Sequence, residues 1–156
     1  MKTKNCKGKL IVVDMYSCNE AVINDLEGIK ANLDKACADF SMELLQLVVN
    51  EDVEQKEYSI VLLCKRGYVT LHIYKELGFV TADVFSCNEN AKPAELSRYL
   101  RGFFGTDKAK ITLIDRGDFG SETDMKPRRN SKIKLGRHTR SLGNKLKKMI
   151  LKPRSI

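Results

Sequence analysis

Several features that would mark a membrane, secreted or metal-stapled protein are missing from this chain. No apolar run approaches the roughly 20 residues that a bilayer span requires; the longest are Leu10–Val13 and Ile60–Cys64. The opening residues, MKTKNCK, are polar and hold no apolar segment of a secretory signal. Membrane insertion and secretion are not expected, and the expected location is cytoplasmic. The five cysteines, Cys6, Cys18, Cys37, Cys64 and Cys87, are odd in number, widely spaced and include no CxxC. That argues against a disulfide framework or a structural zinc site and for free, mostly buried thiols in a reducing compartment. The two histidines, His72 and His138, are too few for a histidine-rich metal site. There is no internal repeat and no GxGxxG, P-loop, GxSxG or HExxH, so the common dinucleotide, nucleoside-triphosphate, serine-hydrolase and zinc-protease signatures are absent.

What is present is an ordinary globular balance, 42% hydrophobic and 31% charged over 156 residues. A chain of this size can bury roughly 70% of its unfolded surface without a disulfide or metal. Charge is distributed unevenly. Residues 1–125 carry 16 Lys/Arg and all 20 Asp/Glu, a net of −4, whereas residues 126–156 carry 12 Lys/Arg and no acid, a net of +12. The basic segment is polar and interrupted by Pro127, Gly136, Gly143 and Pro153, so it cannot build a core of its own. The expected division is a folded domain over residues 1–120 and a basic tail over residues 121–156. Within the tail, Leu142, Leu146, Met149 and Ile150 recur at helical spacing among lysines, which allows one short amphipathic helix. Such a tail could contact nucleic acid, anionic membrane or an acidic protein. It has no aromatic residue, so it cannot stack on bases.

Apolar periodicity gives the elements of the body. Lys9–Tyr16 reads as a strand, and Asn19 caps a helix that runs to about Cys37 or Ala38. Met42–Val49, Tyr58–Lys65, Tyr68–Tyr74 and Phe79–Phe85 read as four strands, with Arg66-Gly67 as a turn. Pro93 opens a helix, Ala94–Phe104, that stops at Gly105, and Lys110–Asp115 is a sixth strand. The order β-α-β-β-β-β-α-β implies an α+β two-layer sandwich: a largely antiparallel sheet with both helices on one face. Strand interiors are apolar on both sides, Val61 and Leu63 one way, Ile60 and Leu62 the other. The face away from the helices needs a cover, and a homodimer stacking sheet on sheet supplies one.

Ser59, Thr70-Leu71-His72, Glu76, Gly78-Phe79 and Asp83-Val84-Phe85-Ser86-Cys87, with Asp14-Met15-Tyr16-Ser17-Cys18 upstream, form a pattern that resembles the prokaryotic-type S-adenosylmethionine decarboxylases over roughly residues 8–116. These are the pyruvoyl enzymes of spermidine synthesis. The resemblance implies an αββα dimer with its active sites at the subunit interface. It also implies a cofactor made from the chain itself: the serine of a Glu-Ser pair attacks the preceding carbonyl, and elimination and hydrolysis leave a pyruvoyl group, whose ketone serves as electron sink during loss of carbon dioxide.

Aligned on His72 and Cys87, the Glu-Ser pair falls on Arg66-Gly67. Glycine has no hydroxyl to attack with and no Cβ to eliminate across, so no pyruvoyl cofactor is expected. The resemblance assigns His72 and Ser59 to processing, Cys87 to protonation of the decarboxylated intermediate, and Glu76, with Asp83, to the substrate region. Lys9 and Lys75 stand where the pattern has histidine and proline. Thr70 carries a hydroxyl but lies within a strand after Val69, and Cys64 could in principle undergo an acyl shift but lies three residues before Gly67, so replacement of the serine by either is an alternative and not the expectation. The expected protein is an uncleaved, catalytically inactive homologue linked to polyamine metabolism. Its expected partners are a second copy, S-adenosylmethionine or a related small molecule, and an active decarboxylase paralogue. The alternatives are an active decarboxylase using another route, such as a lysine Schiff base at Lys65 or Lys75, and a dimeric scaffold whose function lies in the tail.

Overall fold

The computed structural model describes residues 7–117. Cys6, His138 and the helix expected around residues 142–150 lie outside the described residues.

The elements are β1 (Gly8–Tyr16), α1 (Glu20–Ile23), α2 (Leu26–Asp39), β2 (Leu44–Asp52), β3 (Glu57–Cys64), β4 (Gly67–Tyr74), a 3-10 turn (Lys75–Leu77), β5 (Phe79–Ser86), α3 (Pro93–Phe103) and β6 (Lys108–Arg116). The six strands form one sheet in the order β2-β3-β4-β5-β1-β6, and every neighbouring pair is antiparallel. The fold is an α+β two-layer sandwich.

Two details correct the sequence-based expectations. The single helix from Asn19 is two helices. Asn19 caps α1, its side chain accepting from the Ala21 and Val22 N–H groups. The first helix then ends at Asn24, whose side-chain amide donates to the Glu20 carbonyl at 2.9 Å, and Asp25 starts the second by accepting from the Gly28 N–H at 2.9 Å. The Asp25 side chain takes the Gly28 N–H that a continuous helix would pair with the Asn24 carbonyl, while the Asn24 amide adds a second donor to a Glu20 carbonyl that already accepts from the Asn24 N–H, so the helix stops and restarts. The second correction is the β3–β4 turn. Cys64 pairs with Gly67, which leaves Lys65-Arg66 as the two-residue loop, with Arg66 at φ +60°. Gly67 is therefore a strand residue.

α3 packs on β1 and β5, and α2 touches α3 and β2. Ile29 and Leu33 of α2 and Leu96 and Leu100 of α3 are buried against the sheet face that carries Val13, Met15, Ile60, Leu62, Val69 and Val80, each at most 1% exposed. The opposite face has no helix over it among the described residues. Its residues fall into transverse rows set by the strand register. One row is Leu63, Tyr68, Phe85, Leu10 and Ile114; the next is Val48, Val61, Thr70, Asp83 and Val12. Beyond these come Asn50, Ser59, His72, Thr81 and Asp14, and then Glu57, Tyr74, Phe79 and Tyr16. The uncovered face is thus apolar at the end near the β3–β4 turn and polar to aromatic at the other. Val48, Val61 and Leu63 are 45–50% exposed on it.

Candidate functional site

The expected site residues fall at four places along β4 and its neighbours. At the β3–β4 turn, the Arg66 carbonyl accepts two hydrogen bonds from one residue: the Cys87 backbone N–H at 2.9 Å and the Cys87 thiol at 3.2 Å. Cys87 stands just past β5, and β5 runs beside β4 with Gly67 opposite Ser86. This pairing brings the two backbones so close that a Cβ built on Gly67 would lie 2.3 Å from the Phe85 carbonyl oxygen and 3.1 Å from the Ser86 Cα. Real Cβ atoms do not sit that close to backbone oxygens, so glycine is the residue this pairing accommodates. Tyr68 and Phe85 lie beside the turn on the uncovered face with ring centroids 5.3 Å apart.

His72 lies five residues along β4 from Gly67, roughly 17 Å at about 3.3 Å per strand residue. It is directly opposite Ser59. The two are joined through His72 Nδ1 and Ser59 Oγ at 3.4 Å. The other ring nitrogen, Nε2, contacts the Glu57 carboxylate at 2.9 Å. The imidazole stacks on Tyr74 at 4.5 Å, Tyr74 on Phe79 at 5.7 Å, and Phe79 meets Tyr16 at 5.0 Å. A ladder of rings thus crosses β4, β5 and β1 at the polar end of the face. The His72 and Glu57 side chains are 38% and 28% exposed, so the pair is within reach of solvent.

Glu76 is at the far end, in the 3-10 turn after β4, where it bonds the Lys56 ammonium. That cation holds the Glu76 carboxyl below its ordinary pKa. Lys75 sits over the Tyr58 ring at 4.0 Å and contacts Glu51. Asp83 lies between Thr70 and Val12 in the second row of the uncovered face. Within one chain the structure brings Ser59 and His72 together, and Cys87 and Arg66-Gly67 together. It keeps those two groups apart, and Glu76 pairs with Lys56, the residue before Glu57.

Cys18, Cys37 and Cys64 are buried and Cys87 is half-buried. Burial pushes the Cys18 thiol up to about 11. A hydrogen bond to Cys64, reinforced by burial, pushes the Cys37 thiol up as well. Among the described residues no group of three or more His, Cys, Asp or Glu side chains is placed to hold a metal ion. No described helix is long and apolar enough to cross a membrane. A cavity of about 620 Å3 lies between the start of α3 and the strand ends, lined by Lys9, Ser86, Cys87, Lys92, Pro93 and Arg116 among others. Of the expected site residues only Cys87 lines it.

Glu57 and the ring ladder were not foreseen from the sequence. The signal was in the hairpin: once Cys64 and Gly67 are paired, Ser59 falls opposite His72 and Glu57 one step further on the same face. With the turn placed at Arg66-Gly67 that register is lost.

Comparison with known proteins gives a consistent result. The sequence profile described as S-adenosylmethionine decarboxylase matches residues 9–117. An "S-adenosylmethionine decarboxylase proenzyme" of Moorella thermoacetica is 26% identical over 110 residues, covering 70% of this chain and 87% of the relative. A protein of the same description from Clostridium tetani is 24% identical over 122 residues, covering 78% and 96%. The crystal structure of the adenosylmethionine decarboxylase from Aquifex aeolicus superposes with a TM-score of 0.66 at 20% identity, covering 74% of this chain and 94% of that one.

Proposed function

The chain belongs to the S-adenosylmethionine decarboxylase family, and from that premise we propose that it is a non-processing member: an uncleaved, catalytically inactive homologue that binds S-adenosylmethionine or a related metabolite and acts as a regulatory partner in polyamine metabolism. The observation that carries this reading is Gly67. Matched without gaps on His72 and Cys87, the family's Glu-Ser cleavage pair corresponds to Arg66-Gly67 in this reading, and Gly67 offers no oxygen nucleophile and no Cβ for elimination. The 2.3 Å approach of the Phe85 carbonyl to a Cβ at this position supports the reading further. The residues at this turn do not fit a pyruvoyl group.

In this reading His72, Ser59 and Cys87 are retained positions without turnover, and Glu76 and Asp83 are remnants of the substrate region. Their separation within one chain favours a site assembled from two copies, with the uncovered sheet faces stacked as αββα. An active decarboxylase paralogue could take the place of one copy. Residues 1–120 form the family domain in this reading, and residues 121–156 a basic appendage. The net charge of +12 on residues 126–156 favours a second role for that appendage, in contact with nucleic acid, anionic lipid or an acidic protein. Deleting residues 126–156 should abolish any salt-sensitive nucleic-acid binding; binding that survives the deletion would refute this role.

Intact-mass measurement tests the central reading. The purified protein should give one species near 17.7 kDa, unmodified by hydroxylamine. Two fragments of roughly 7 and 10 kDa, or a hydroxylamine adduct, would show a ketone cofactor and overturn it. Release of labelled carbon dioxide from S-adenosylmethionine by the uncleaved protein would instead favour an active enzyme using another route.

A further inference from the structure

We infer that Glu57 is the positioning residue of the uncovered face, setting the proton arrangement of His72 and through it the hydrogen bonding of Ser59. A neutral imidazole carries one N–H and one lone pair, and the nitrogen bearing the proton is decided by its partners. At Nε2 the partner is the Glu57 carboxylate, 2.9 Å away, which accepts and cannot donate when ionised. The proton therefore resides on Nε2. That leaves Nδ1 as the acceptor, and its partner 3.4 Å away is Ser59 Oγ, a hydroxyl that can donate. Ser59 thus donates its hydrogen bond to His72 Nδ1, and its own lone pairs are left for a ligand donor on this face. The stack of His72 on Tyr74 at 4.5 Å restricts the ring from turning out of this line. Glu57 and Ser59 share a face of β3, two residues apart, and His72 crosses to both from β4. The arrangement has the logic of an oriented histidine between a carboxylate and a hydroxyl, built across a β-hairpin.

The assignment rests on the reading of this face as a ligand-binding surface, yet it can be measured without ligand. The full chain with His138→Gln leaves His72 as its single histidine. Nitrogen-15 correlation spectra, recorded at rising pH until the ring shifts stop changing, should show Nε2 as the protonated nitrogen and Nδ1 as the bare one. Glu57→Ala should move both nitrogens toward the averaged values of a free ring. Glu57→Gln, whose amide oxygen can still accept from Nε2–H, should restore the split, and Ser59→Ala should leave it in place. A wild-type ring protonated on Nδ1, an unchanged spectrum in Glu57→Ala, or a split lost in Ser59→Ala but kept in Glu57→Ala would overturn the assignment. Should Glu57→Ala unfold, the Ser59→Ala and Glu57→Gln spectra decide. If S-adenosylmethionine fails to bind while the tautomer behaves as stated, the ligand reading fails and the positioning role stands.

Discussion

Gly67 and Cys87 together make the β3–β4 turn a closed structure. The Arg66 carbonyl takes both donors that Cys87 has, and the strand pairing beyond it leaves no space for a side chain at residue 67. A polarised carbonyl favours attack by a neighbouring hydroxyl, whereas a Cβ 2.3 Å from a backbone oxygen forces β4 away from β5. Overpacking of this kind costs about 1–3 kcal/mol or more, and the shift that relieves it also pulls Arg66 from Cys87. On the proposed reading a hydroxyl at residue 67 is not sufficient for processing: Gly67→Ser should stay one uncleaved chain by intact mass and unfold about 1–3 kcal/mol more easily in denaturant. Self-cleavage of that variant would show that the missing oxygen was the only obstacle. A second residue-scale effect comes from Cys18. Burial raises its thiol from 9.0 to about 11. The folded-state pKa lies above the unfolded one, so the stability tied to the protonated thiol is complete below pH 9 and is lost as pH rises toward 11. Relative to Cys18→Ala, wild-type stability should fall by roughly 2–3 kcal/mol between those limits, since one pKa unit is about 1.4 kcal/mol. Parallel denaturant curves at both pH values check this, and equal pH slopes in the two proteins would contradict it.

The elements show what periodicity can read and what it cannot. All six strands and the α3 helix were legible because alternation and the Pro93 and Gly105 signals report one-sided burial and helix ends directly. The break between α1 and α2 was not, because Val22, Ile23, Leu26 and Ile29 keep a helical spacing across it while Asn24 and Asp25 act through hydrogen bonds that hydrophobicity does not encode. The candidate site divides in the same way. Ser59, His72 and Cys87 are singled out by motif resemblance alone, whereas Glu57 and the ring ladder depend on hairpin register, which a misplaced turn hides. The helix break has its own measurable cost. Asp25 accepts from the Gly28 N–H at 2.9 Å at the start of a 14-residue helix. Asp25→Ala should therefore destabilise the domain by about 1 kcal/mol, the usual worth of an N-cap. Asp25→Asn should recover most of it, since Asn caps as well. A loss below a few tenths of a kcal/mol in chemical denaturation would mean that Asn24 alone terminates α1 and that packing alone starts α2.

At the scale of the whole molecule the deciding feature is the sheet face that no helix covers among the described residues. Val48, Val61 and Leu63 are about half exposed there, beside Tyr68 and Phe85. A sheet packed on one side only would be expected to alternate apolar and polar residues; here the outward row near the β3–β4 turn is apolar across five strands. Stacking two such faces about 10 Å apart removes that row from water in both copies. A two-fold interface is self-complementary, so every substitution is made twice. A charge at residue 61 or 63 would face its own copy or apolar neighbours across the interface, and burying an unpaired carboxylate costs several kcal/mol. The wild-type chain should therefore sediment as a dimer at micromolar concentration. Val61→Glu with Leu63→Glu should weaken the dimer by at least about 100-fold, corresponding to about 2.8 kcal/mol. The far-ultraviolet spectrum should be unchanged, because both side chains point away from the helix-covered core. A monomeric wild type would leave the apolar row without the cover proposed for it. A double variant that folds and still dimerises would place the contact elsewhere on the molecule and remove the basis for a site assembled from two copies.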